Sequence, residues 1–462
     1  MRATLILGAG PGGTGPLVWA AQHGVLTSWL ASGLTVVDAG PVMGGTLGRY
    51  IINSDSLGGV YLEFLRAPLA RDTFACMAED PARRALEQMQ SDFPPLSLVD
   101  RYLHRMGAAI AQAVIESPGG EFLPNTTARA LHRRADGSIV ADVTSADGRS
   151  NSIEARTVIL ALGGRPRTAV AAPIAPGVTL ADLPADKIIP SDQLMTEAGR
   201  GRAVAILQRS AAPRVVILGG SHSAFSAAWV LTQRMPEIGF GAGEIRIVAR
   251  RQPPIYYESL AAAAADGYRA TLADVCPKTQ RVNRMGGLRG DGREVWRRLN
   301  GRPGCASDPR IVFVPLNQLA ASPPAARREL DEATLIVPCF GYQASTIPVF
   351  DERGRRIGLN ADRGGSAVGA DARMLCDDGR PIANLFCIGL GTGYRPTAAM
   401  GGEPSFAGQA NSLWLYQNHI GGIVYQGVQE CLAEAASADA IRLRPRSGGG
   451  LIAGYGMPRG AR

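Results

Sequence analysis

Largely apolar runs of four to five residues recur along the chain, each ending in glycine or a polar turn. They are Ala3-Thr4-Leu5-Ile6-Leu7, Leu34-Thr35-Val36-Val37, Val158-Ile159-Leu160-Ala161-Leu162, Val215-Val216-Ile217-Leu218, Ile245-Arg246-Ile247-Val248, Leu335-Ile336-Val337-Pro338 and Leu385-Phe386-Cys387-Ile388. Runs of this length without alternation read as strands buried on both faces, the mark of a parallel sheet covered by helices. Between residues 127 and 155 the pattern changes to period two, with turns at Ala135-Asp136-Gly137 and Ala146-Asp147-Gly148, which predicts short antiparallel strands. Residues 60–115 and a stretch from about Ser405 to Val428 carry helical spacing. The order predicts an α/β fold with two nested Rossmann-like units and a helical cover.

The first run leads straight into Gly8-x-Gly10-x-x-Gly13 and then into Leu17-Val18-Trp19-Ala20-Ala21. In such a strand–turn–helix, the first glycine makes the sharp turn and the second lets a pyrophosphate approach the backbone. The third lets helix and strand pack closely. The helix start offers free N–H groups and partial positive charge. The second run ends at Asp38, whose carboxylate suits a ribose diol. Asp38 lies 25 positions after Gly13, beyond the usual distance of about 20, which a longer first helix would absorb.

A second copy starts at Arg214: Val215-Val216-Ile217-Leu218, then Gly219-Gly220-Ser221-His222-Ser223-Ala224, then a helical run. Ser221 replaces the middle glycine and brings a hydroxyl toward a phosphate, with His222 and Ser223 bordering the loop. The strand after this unit ends at Arg250-Arg251 where an acid is otherwise expected. Guanidinium forks match a 2′-phosphate, so this unit is expected to take NADPH.

The nesting places one dinucleotide unit at 1–165 and 346–437 and a second at 166–345, with a flexible tail at 438–462. Hydrophobic residues form 46% of the chain and charged residues 19%, enough for a core without disulfides or metals. Net charge is +8, with Lys187 and Lys278 the only lysines. The arginines are scattered and never interleaved with stacking aromatics, which argues against a nucleic-acid partner. No apolar run reaches a membrane-spanning length. The seven cysteines show no C-x-x-C spacing and the five histidines no ligand spacing, so neither a redox dithiol nor a metal site is expected. A cytoplasmic location is expected, and a homo-oligomer is left open.

These features together resemble the flavoproteins with two dinucleotide-binding domains, nearest the class B flavin-dependent monooxygenases of N-hydroxylating type. Ala161-Leu162-Gly163-Gly164 resembles their A-T-G-G element, and Gly44-Gly45-Thr46 their G-G-T segment. Pro190-Ser191-Asp192 stands where N-hydroxylating relatives have His-Ser. The Baeyer–Villiger signature and the disulfide-reductase cysteine pair are absent, and Gly389-Leu390 replaces the Gly-Asp of many reductases. The resemblance implies FAD in the first unit and NADPH in the second. It implies monooxygenation of a small-molecule amine or related nucleophile by O2 through a C4a-peroxyflavin. The alternative is a reductase that inserts no oxygen. Asp55 falls where such enzymes carry an aspartate near the flavin, and Asn53 and Ser54 in the same polar cluster are the other catalytic candidates, although Asn-Ser-Asp-Ser is equally good turn chemistry. Gly163, Gly389, Gly391 and Ser405 are the remaining expected FAD contacts. Gly401-Gly402-Glu403-Pro404-Ser405 is expected to begin a helix aimed at the flavin pyrimidine.

Overall fold

A computed structural model of the chain describes residues 1–167, 173–175, 178–397 and 400–442. The larger of its two main sheets centres on Arg2–Leu7, with Leu34–Val37 parallel on one side and Ser150–Leu160 parallel on the other. Gly120–Leu123 extends it beyond Leu34–Val37, and Pro381–Cys387 pairs with the end of Ser150–Leu160. Ser150–Leu160 has three partners along its length. Its first half closes an antiparallel meander with Ile139–Ser145 and Thr126–Arg133, and its second half joins the parallel core. Gly137 and Gly148 make the two hairpin turns at positive φ, 86° and 84°.

The second sheet has four parallel strands in the order Ile311–Pro315, Ile245–Ala249, Val215–Leu218, Leu335–Pro338. The sheets are linked where the chain passes between them: Gly164–Pro166 pairs antiparallel with Tyr342–Ala344. Leu5, Ile6, Leu7, Val215, Val216 and Ile217 are fully buried, as the unbroken apolar runs require. Each such side chain is worth about 1.5–3 kcal/mol of burial free energy.

Three expectations need correction. The first helix is not long. It spans Pro11–Gln22, and a separate helix, Leu26–Ala31, takes up the extra distance to Asp38. No helix begins at Ser405. Helices run Leu413–Asn418 and Ile420–Arg442, and Ser412 caps the first by accepting from the Leu415 N–H at 3.2 Å. The supposed tail from 438 is helical as far as Arg442, while 443–462 lie outside the described residues. No helix among the described residues is long and apolar enough to cross a membrane.

Candidate functional site

A cavity of about 670 Å3 opens at the C-terminal ends of the larger sheet's parallel strands. Crevices at strand carboxyl ends are where ligands bind in open α/β sheets. Gly8, Gly10, Pro11 and Gly12 form one wall, Asp38 and Thr46 another, and Gly163, Gly389 and Leu390 a third. Gly10 and Gly13 are glycines for different reasons. A Cβ on Gly10 would meet only the Gly45 Cα, at 3.7 Å, so the space it leaves belongs to the cavity. A Cβ on Gly13 would overlap the Gly8 carbonyl oxygen, so that glycine serves the fold. No side chain caps the helix starting at Pro11, which leaves its first N–H groups for an anion. Asp38 accepts from the Ala9 N–H at 2.5 Å and the Gly40 N–H at 2.7 Å. A carboxylate has about four acceptor sites, so capacity remains for a diol. The chemistry of this wall fits FAD.

The opposite side of the cavity carries Asn53, Ser54, Asp55 and Ser56. The Asn53 N–H and side-chain amide both donate to Asp291, at 3.0 and 2.9 Å. Burial raises the Asp291 carboxyl above its usual range, and the two Asn53 donors oppose that shift. Ser54 is buried, shares a 2.6 Å hydrogen bond with the Tyr61 hydroxyl and accepts from the Ser56 N–H. Ser54 therefore makes the turn that its sequence suggested. Asp55 is exposed to the cavity.

His222 and Ser223 line this same cavity. The helix they begin spans His222–Gln233, and Ser221 just before it lines a second cavity. His222 Nε2 lies 3.2 Å from the Gly287 carbonyl oxygen, so Nε2 carries the proton, and Nδ1, 3.4 Å from the Ser221 hydroxyl, is the acceptor. Burial lowers its pKa. The Arg289 charge adds to that, and Asp55 and the Gly287 carbonyl oppose it.

A second cavity, about 650 Å3, lies at the ends of the four-stranded sheet. Gly219, Gly220 and Ser221 line it with Arg250, Arg251 and Arg167. The loop serine and the two arginines are thus brought together, a donor set that fits a 2′-phosphorylated dinucleotide. Arg167 carries no sequence signal. It reaches this cavity because the crossing strand before it is fixed against Tyr342–Ala344.

Gly45, Thr46, Gly163 and Gly389 stand at the main cavity, whereas Gly44 and Gly391 lie behind it. A Cβ on Gly44 would strike the Leu103 carbonyl oxygen at 2.7 Å, and one on Gly391 the Gln343 carbonyl carbon at 2.4 Å. Ser405 lines neither cavity, and its hydroxyl donates to Asp274 at 2.8 Å. Glu403 is buried and accepts from the Met285 N–H at 2.9 Å and the Gly286 N–H at 3.0 Å. Sequence reasoning missed Arg49, Arg289 and Asp291 at the main cavity, since no local motif surrounds them.

No protein-family model matches the chain. It is 32% identical over 429 residues to the CMP-5'-(3-aminopropyl)phosphonate hydroxylase of Streptomyces rubellomurinus, covering 92% of this chain and 97% of the relative. Among solved structures it resembles L-lysine 6-monooxygenase from Pseudomonas syringae at a TM-score of 0.54 and 15% identity. That match covers 93% of this chain and 100% of the other. Near-complete mutual coverage at 32% identity shows that the chain belongs to the same family as the Streptomyces rubellomurinus hydroxylase, with one cavity whose lining fits FAD and a second whose lining fits NADPH.

Proposed function

We propose that this enzyme N-hydroxylates the primary amine of an aminoalkylphosphonate, taken as its nucleotide conjugate. The observation that carries the reading is the relationship to a hydroxylase named for CMP-5'-(3-aminopropyl)phosphonate, which extends over nearly the whole of both chains. The reaction balances as R–NH2 + O2 + NADPH + H+ giving R–NHOH + H2O + NADP+. FAD, when bound, supplies the two-electron relay from NADPH and the activation of O2.

The chain's own residues bind and orient. In this reading Gly8, Gly10 and the Pro11 helix start hold the flavin pyrophosphate, Asp38 holds its ribose, and Gly45, Thr46, Gly163 and Gly389 border its ring system. Gly219, Ser221, Arg250 and Arg251 hold NADPH. An alkylamine reaches the site as an ammonium ion and becomes a nucleophile only after losing a proton. Asp55 attracts the ammonium, and the neutral His222 Nδ1 accepts its proton. Asn53 keeps the 53–55 segment in place through Asp291.

The division at 166 and 345 into two units belongs to the same reading, supported by the ribbon that joins the two crossings. The seven free cysteines suit a reducing cytoplasm.

The test is product analysis. Purified yellow protein given NADPH, O2 and CMP-5'-(3-aminopropyl)phosphonate is expected to yield a hydroxylamine one oxygen heavier than the amine. NADPH oxidation that ends wholly in hydrogen peroxide, with this and with simple amine substrates, would sink the proposal.

A further inference from the structure

Two arginines line the main cavity, Arg49 and Arg289; the Arg49 guanidinium donates to the Tyr50 hydroxyl, and several arginines further along the chain from Arg289 are paired with carboxylates. Arg293 and Arg297 reach Asp266, Arg298 reaches Glu294 at 2.7 Å, and Arg310 reaches Asp308 at 2.6 Å. Arg289 lines the cavity but meets no carboxylate within ion-pair distance among the described residues. One of its Nη groups donates to the Arg284 carbonyl. Its Nε is shut off from solvent and hydrogen-bonds nothing. The guanidinium is held over the Tyr256 ring, 4.2 Å from the centroid, a cation–π contact that fixes its plane.

A buried, unpartnered N–H on a cation costs free energy. Because the Nε is closed to solvent, the donor a ligand can reach is the Nη that the Arg284 carbonyl leaves free. The guanidinium fork matches the oxygens of a phosphorus oxyanion. Its position also selects among the phosphates available. Ser221, Arg250 and Arg251 belong to the second cavity, and the Gly8–Gly13 loop lies on the far wall of the first. Arg289 stands instead beside His222, whose imidazole feels its charge, and two residues before Asp291, which holds Asn53.

We propose that Arg289 is the specificity-determining residue for the substrate: it takes the phosphorus oxyanion of the aminoalkylphosphonate and so sets the amine beside His222 and Asp55. This rests on the N-hydroxylase reading above. The oxyanion is either the phosphonate or the adjoining nucleotide phosphate, which share the recognition chemistry.

The experiment is calorimetric titration of FAD-loaded wild-type, Arg289→Gln and Arg289→Lys protein. The probes are 3-aminopropylphosphonate, CMP, 1-aminobutane and NADP+. Arg289→Gln is expected to lose at least about tenfold in affinity for one of the two phosphorus probes, with 1-aminobutane and NADP+ unchanged. Lysine keeps the charge without the fork and should fall between. Flavin content and melting temperature confirm that each variant is folded. Which phosphorus probe weakens tells which oxyanion Arg289 holds. Equal affinity of wild type and Arg289→Gln for both, or a loss confined to NADP+, overturns the assignment. The parent reading fails separately: wild type would then bind the phosphonate in an Arg289-dependent way yet form no hydroxylamine.

Discussion

Asn53 and Asp291 lie 238 positions apart in sequence and meet by two hydrogen bonds, the backbone N–H at 3.0 Å and the side-chain amide at 2.9 Å. The bonds tie the loop beside the main cavity to the first turn of the helix Gly290–Leu299. Neighbouring contacts repeat the link: the Ile51 N–H donates to the Met195 carbonyl at 2.9 Å, and Arg234 donates to the Ile51 carbonyl at 3.3 Å. The polar segment that faces the cavity is therefore held by residues packed with the smaller sheet.

Asp291→Ala leaves two Asn53 donors without their acceptor. The expected cost is about 1–3 kcal/mol of stability, read as a lower urea midpoint of the holoprotein. The loosened loop should also send a larger share of NADPH oxidation to peroxide, with KM for NADPH little changed. An unaltered midpoint and unaltered coupling would show that the pair holds nothing.

The two loop glycines separate binding from folding. Gly10 sits at φ −71°, which any residue adopts, and its missing Cβ borders the cavity. Gly10→Val is expected to fold with native circular dichroism but to purify colourless. Gly13→Ala would drive a methyl into the Gly8 carbonyl and is expected to leave little soluble protein. A yellow Gly10→Val protein would remove the pyrophosphate from this loop.

What was legible in sequence was what is encoded locally. Buried strands appear as unbroken apolar runs, and a phosphate loop as glycines at fixed spacing, so Arg2–Leu7, Gly8–Gly13, Val215–Leu218 and Arg250-Arg251 all stood in view. The failures have a common cause in long-range contacts. Gly401 to Ser405 has a helix-start composition, with Pro404 near the first turn. Its polar groups are claimed by distant partners instead: Glu403 by the Met285 and Gly286 N–H groups, Ser405 by Asp274. The helix starts at Leu413, once Ser412 is free to cap it. Arg289 and Asp291 lie in a stretch with no readable pattern, and only the fold brings them to the cavity.

Arg250 and Arg251 carry a prediction about coenzyme choice. Both line the second cavity with Ser221, at the end of Ile245–Ala249. The double variant Arg250→Ala/Arg251→Ala is expected to lower kcat/KM for NADPH at least about tenfold while leaving that for NADH nearly unchanged. The ratio of the two constants is the readout. A preserved ratio would assign both guanidinium groups to the solvated surface.

His222 gives the molecule a dependence on pH whose direction follows from its surroundings. Burial lowers its pKa below the ordinary 6.5. The folded protein thus holds the imidazole neutral where an unfolded chain would bind a proton. The stability this confers is fully present above about pH 6.5 and drains away as pH falls toward the folded value. His419 is shifted the same way, by burial and then by the Lys278 charge, so it adds to the slope. The shifted aspartates Asp136, Asp308 and Asp371 lie below 3.8 and titrate at more acid pH. Cys276, lowered to about 7, and Asp291, raised by burial, also bear on the range between about pH 7.5 and about pH 5.5, so the histidine share of the change in urea midpoint is read from the variants. Wild type is expected to lose stability between the two pH values. His222→Gln should lose less, and His222→Gln/His419→Gln less again. If His222 also accepts the substrate's proton, His222→Gln lowers kcat across the range and removes the acid limb of the rate profile. A variant with the full wild-type slope in stability and in rate would mean that the imidazole binds its proton alike in the folded and unfolded protein, and His222 would lose its role as base.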